Sequence, residues 1–188
     1  MGAAYCVDTN PQINGVCQIL PQANTPDPAV VARQAVARLK LPEVNAQVGP
    51  DPSVNEWKVV AVGYPIWLWA ESPDQLSTSV TEQGITVVIV ARRTGASFDM
   101  GNGDVVRCTS MTPYRQMTVL PPPESPDCGY RYPGLPAKEG AGFTMTAATH
   151  WTVTWSAMGH TGTIAMDRTQ SRQMPVAELQ SVIVSPKR

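Results

Sequence analysis

The chain has 188 residues, is 43% hydrophobic and carries a net charge of −1. It is long enough for one well-formed core and too apolar for a disordered tail. Only 15% of its residues are charged, against roughly 25% in an average soluble domain. With no basic run, nucleic-acid binding is not expected, and no stretch approaches the roughly 18 to 20 apolar residues that span a bilayer.

In chain order, Met1-Gly2 before Ala3-Ala4-Tyr5 reads as a start placed after a removed signal or anchor. A myristoylation reading fails because position 6 is Cys6 rather than Ser or Thr. Cys6 and Cys17 flank Asn14-Gly15, a turn dipeptide, which predicts a small stapled hairpin or loop. A helix is predicted over residues 28–40. Asp27 caps the free N–H groups of its first turn, Pro28 suits its first position, and Ala32, Ala35, Val36 and Leu39 form one apolar face. Arg38 and Lys40 suit its C-terminal dipole, and Pro42 ends it.

Residues 42–56, rich in Pro, Asn and Gly, read as a linker. From Trp57 onward the pattern is β-like. Trp57–Gly63 leads into Tyr64–Trp69, where Ile66 and Leu68 alternate with Trp67 and Trp69 on opposite faces. Leu76–Thr81 is a half-polar strand, and Ile85–Arg92 a central strand by its β-branched content. Gly101-Asn102-Gly103-Asp104 makes a tight turn, and Val119–Pro126 is a Pro-rich loop. Phe143–Trp155 alternates over a long run and places Trp151 and Trp155 on one face, with His150 on the polar side. Thr161–Arg168 and Val176–Val184 close the series, with His160 at a hairpin tip. Short strands with turns every 8 to 12 residues predict an all-β sandwich.

The four cysteines lack zinc spacing, and the only histidines are His150 and His160. Of the three possible pairings, the local one joins Cys6 to Cys17 and Cys108 to Cys128. It tethers two turn-rich segments, each with about 3 kcal/mol of chain-entropy stabilisation.

Phe98-Asp99-Met100-Gly101-Asn102-Gly103 resembles the W-D-F-G-D-G signature of PKD domains, which are immunoglobulin-like modules. Tyr130-Arg131-Tyr132-Pro133, with Gly142-Phe143-Thr144-Met145-Thr146-Ala147, resembles the end of such domains. Met100 stands in place of an aromatic and Asn102 in place of the second acid, and a cysteine-bearing insertion separates the two halves. With Pro65–Trp69, Thr112-Pro113-Tyr114 and Ser125–Tyr132, the chain is similar to a narrower group of exported actinobacterial proteins. The resemblance implies an immunoglobulin/PKD-like β-sandwich over residues 57–188, an N-terminal extension over 1–56 whose helix packs on it, and an exported location. It implies no activity.

Candidate chemistry is sparse. No P-loop is present, so nucleotide binding is not expected. Asp99, Asn102 and Asp104 could give three oxygens to Ca²⁺, fewer than the six to eight it prefers, so the expected role of Asp99 is to accept turn N–H groups. His150 and His160 lack any accompanying G-x-S-x-G or H-E-x-x-H motif. Core packing accounts for about three of the five Trp residues, and one or two exposed rings would make a binding platform.

The expectation is a non-catalytic extracytoplasmic interaction or structural module without a cofactor. It binds an envelope or extracellular protein through an aromatic patch of Trp67, Trp69, Tyr114 and Tyr130. The alternatives are a polysaccharide-binding module and a hydrolase with an unrecognised site, drawn from carboxylates such as Glu71, Asp74, Glu82, Asp99, Asp104 or Asp127.

Overall fold

A computed structural model describes residues 26–118, 121–137 and 142–179. The protein is mainly β with antiparallel sheets and one N-terminal helix. The segments are α1 (Pro28–Ala37), β1 (Asn45–Gly49), a short 3-10 turn (Pro52–Val54), β2 (Val60–Ala61), β3 (Ile66–Glu71), β4 (Gln75–Glu82), β5 (Ile85–Asp99), β6 (Val105–Cys108), β7 (Gly129–Tyr130), β8 (Phe143–Ala157), β9 (His160–Met174) and β10 (Val176–Ala177).

The large sheet runs β4-β5-β8-β9, with β6 also paired to β5. Strands β5, β8 and β9 are each 15 residues long, not the short strands expected. The β8–β9 connection is the Met158-Gly159 turn, both residues at positive φ, a two-residue hairpin that keeps the strands in register along their whole length. Along β8, Met145, Ala147, Thr149, Trp151, Val153, Trp155 and Ala157 are all buried, as the alternation predicts.

Strand β5 needs an adjustment to keep pace. Ile85, Val87, Ile89 and Ala91 point inward at odd positions, but Ala96 and Phe98 point inward at even ones. A bulge between Arg93 and Gly95 absorbs one residue and changes the parity. Ser97 consequently faces the open side of the sheet.

One face of this sheet carries the whole core. Its first half is covered by α1, whose Val31, Ala32, Ala35 and Val36 meet Ile85, Val87, Ile89, Trp151, Val153 and Trp155. Its second half is covered by the small sheet β1-β3-β7. There Val48, Ile66 and Leu68 pool with Phe98, Met100, Tyr132, Met145 and Met174. At ten residues α1 is marginal alone, so this docking stabilises it.

Several expectations are corrected. The helix stops at Ala37, with Arg38 as its C-cap, rather than at residue 40. Leu41 leaves the helix to bury itself, and Pro42 disfavours helical geometry in the residue before it. The expected linker contains β1, which pairs with β3 from Asn45↔Glu71 to Gly49↔Trp67. The strand expected over Trp57–Gly63 shrinks to Val60–Ala61, parallel to β10. Asn55 causes the shortening: its amide donates to Val59 O and accepts from Val59 N, closing a turn in which Lys58 takes a positive φ. Cys108 and Cys128 form a disulfide with Cα atoms 5.7 Å apart. The Cys6–Cys17 pairing lies outside the described residues. Among the described residues no helix is long and apolar enough to cross a membrane.

Candidate functional site

The expected aromatic patch is not open. Trp67 is 7% exposed. Its ring meets the edge of Tyr114 at a centroid distance of 5.6 Å, and its Nε1 donates to Pro123 O at 2.9 Å. The cover is therefore Tyr114 and Pro123, from the chain between Cys108 and Cys128, not α1. Gly49 permits that cover, because a Cβ there would fall 2.1 Å from Tyr114 Cβ. Trp69 is half-buried beside it on β3. Tyr130 belongs to a separate aromatic group: it stands edge-on to Tyr132, whose ring stacks on Phe143. The four residues expected to share one surface thus divide between two packed clusters.

Asp127 organises the covering loop. Its carboxylate accepts from Thr112 N at 3.0 Å, Thr112 Oγ1 at 2.8 Å, Ser110 Oγ at 3.0 Å and Ser125 Oγ at 3.3 Å. Partial burial would raise its pKa, but these bonds outweigh burial and hold the carboxyl below its ordinary value.

An apolar groove opens beside this loop. Val54, Trp57, Tyr64, Tyr114, Met117 and Leu179 line it, and it encloses about 490 Å³. Trp57 is 61% exposed and Val54 80%, a concentration of exposed apolar side chains of the kind that marks binding surfaces. The turn closed by Asn55 places Trp57 here, and the loop that hides Trp67 contributes Tyr114 and Met117 to the wall. Two of the polar groups at the rim already have partners. Asp51 accepts from Ser53 N and from Arg172 Nη2, and Asn55 is spent on Val59. The sequence singles out Tyr114 and names Trp57 among the five tryptophans. Val54, Tyr64, Met117 and Leu179 lie too far apart in the chain to signal that they share a surface.

The acidic turn after β5 is internally bonded. Gly101 N donates to Asp99 Oδ1 at 2.9 Å, and Asp104 N to Asn102 Oδ1 at 3.2 Å. Asn102 Nδ2 and the Tyr130 hydroxyl both donate to Asp104 Oδ2. Those two bonds hold the Asp104 carboxyl below its usual range. Burial first, and then the bond to Asp104, push the Tyr130 hydroxyl up to about 12, so it stays a donor. Among the described residues no three His, Cys, Asp or Glu side chains lie together as a metal cluster would require.

The other candidate acids are dispersed. Glu71 accepts from Asn45, Asp74 pairs with Arg93, and Glu82 pairs with Arg38. His160 is exposed at the start of β9, and His150 lies on the open face of the large sheet. No protein-family model matches the chain, and neither a curated protein nor a solved structure is significantly similar to it.

Proposed function

We propose that the protein is an extracytoplasmic interaction module with an immunoglobulin/PKD-like core, binding an apolar segment of a protein partner in the Trp57 groove. The observation that carries this reading is the exposed Trp57 ring in a groove lined mainly by apolar side chains. A sugar needs several amides and carboxylates for its hydroxyls, and with Asp51 and Asn55 bonded within the chain only the Gln116 amide of this lining is left for that role. Leucine, phenylalanine or tryptophan side chains need only the apolar lining.

Two further observations support the rest. The Cys108–Cys128 disulfide suits an oxidising compartment, hence the cell surface or the extracellular space. The two halves of the PKD-like signature meet in space. Tyr132 Oη donates to Met100 O at 3.2 Å, and Gly101 sits so close to Thr144 that a Cβ would lie 2.6 Å from its carbonyl oxygen.

The test is selection of random peptides on the wild-type protein with Trp57→Ala as counter-target, run beside soluble chitin and cellulose oligosaccharides. Selected peptides are expected to share two or more large apolar anchors. They should weaken about 30-fold on Trp57→Ala, the size of a hot-spot loss of about 2 kcal/mol. Binding of an oligosaccharide, or peptides indifferent to Trp57, overturns the reading.

A further inference from the structure

Three side chains from three strands are linked on the open face of the large sheet. His150 Nε2 lies 2.9 Å from Ser97 Oγ, and His150 Nδ1 lies 2.8 Å from Asp167 Oδ1. We infer that Ser97, His150 and Asp167 form a nucleophile–base–carboxylate relay, a second site that hydrolyses short-chain carboxylic esters.

The register builds the relay. His150 on β8 pairs directly with Asp167 on β9 and with Gly95 on β5. Ser97 lies on the diagonal, opposite Ala148. From that diagonal position the imidazole reaches across to Ser97. The β5 bulge is decisive. Without it, Ser97 would keep the odd-position parity of Ile89 and Ala91 and point into the core.

The two bonds also set the proton positions. An ionised carboxylate only accepts, so Nδ1 is the donor to Asp167. In the neutral ring Nε2 is then bare and accepts the Ser97 hydroxyl proton, the tautomer that a general base requires. Arg107 stands opposite Ser97 in the β5–β6 register. It lines, with Thr94, Gly95, Thr109 and His150, a depression of about 260 Å³. That volume suits a small acyl group; His150 links the depression to Ser97, which is not itself in its wall, and Arg107, paired with Ser97 across the strands, is the cation that would stabilise an oxyanion and favour esters bearing a negative charge.

The step balances with water alone. Ser97 Oγ attacks the ester carbonyl carbon as its proton passes to His150 Nε2. The carbon–oxygen bond to the alcohol breaks, and the alcohol leaves with that proton. Water then attacks the acyl-serine, giving its proton to Nε2, and the acid departs as Ser97 recovers its hydroxyl. Asp167 is a positioning residue, holding the ring in this tautomer.

The experiment treats the full chain with an alkyl fluorophosphonate and locates the adduct by peptide mass mapping, with 4-nitrophenyl acetate turnover in parallel. A single adduct on Ser97 is expected, with labelling about 100-fold slower in His150→Ala, a typical general-base contribution. Asp167→Asn should slow labelling without moving the melting temperature, and Asp167→Glu should restore part of the rate. This Asp167 pair decides the matter if His150→Ala does not fold. No adduct on Ser97 at a probe concentration that saturates a serine esterase overturns the inference. So does labelling that is indifferent to Asp167→Asn or to a folded His150→Ala.

Discussion

Asp127 gathers donors from Ser110, Thr112 and Ser125 into one carboxylate. Replacing it with Ala should lower stability by about 1 kcal/mol, the net scale of such bonds at a largely exposed group. The pH dependence has a definite sign. A carboxyl held below its ordinary value in the folded state stabilises the protein above its unfolded pKa, and that contribution is lost as pH falls through the folded pKa. Melting followed from neutral pH into acid should therefore fall less steeply in Asp127→Asn than in the wild type. Asp99→Ala should likewise cost about 1 kcal/mol, because Gly101 N loses its acceptor. The two aspartates differ in how far sequence reveals them. Asp99 serves a donor two residues away, within one turn. Asp127 serves donors 15 and 17 residues back, across a loop whose closure depends on the Cys108–Cys128 bond.

Among the elements, β3 and the loop above it form one unit. Trp67→Ala should cost about 3 to 5 kcal/mol, the range for truncating a large buried aromatic ring, and should leave Pro123 O without its donor. Reducing Cys108–Cys128 should cost about 3 kcal/mol by the loop-entropy relation and release the same cover. Chemical or thermal unfolding with and without reductant checks both. Period-2 alternation places Trp67 and Trp69 opposite Ile66 and Leu68, as the structure has it. What alternation omits is the covering layer, because Tyr114 sits 47 residues downstream of Trp67, in a Pro-rich segment without periodicity. The bulge in β5 is equally hidden: a one-residue parity change at Thr94 looks like the end of a strand, and the strand continues to Asp99.

At the scale of the molecule, the β-rich class, the N-terminal helix with its Asp27 cap and the Cys108–Cys128 bond are legible because each rests on local patterns or short loops. The division of one sheet face between a helix and a small sheet is not, since it depends on which elements meet across the core. The same holds for the groove, assembled from the 3-10 turn, the Asn55 turn, the disulfide loop and Leu179 beyond β10. We propose this groove, with Trp57 as its open ring, as the binding surface. The direct measurement is the five tryptophan indole N–H signals in a nitrogen–proton correlation spectrum, each assigned by single Trp→Phe replacement and followed as a selected apolar peptide is added. The predicted result is that the Trp57 signal shifts saturably while those of Trp151 and Trp155 stay in place. Unmoved Trp57 with a shifting Trp67 or Trp69, or a response to oligosaccharide alone, would contradict it.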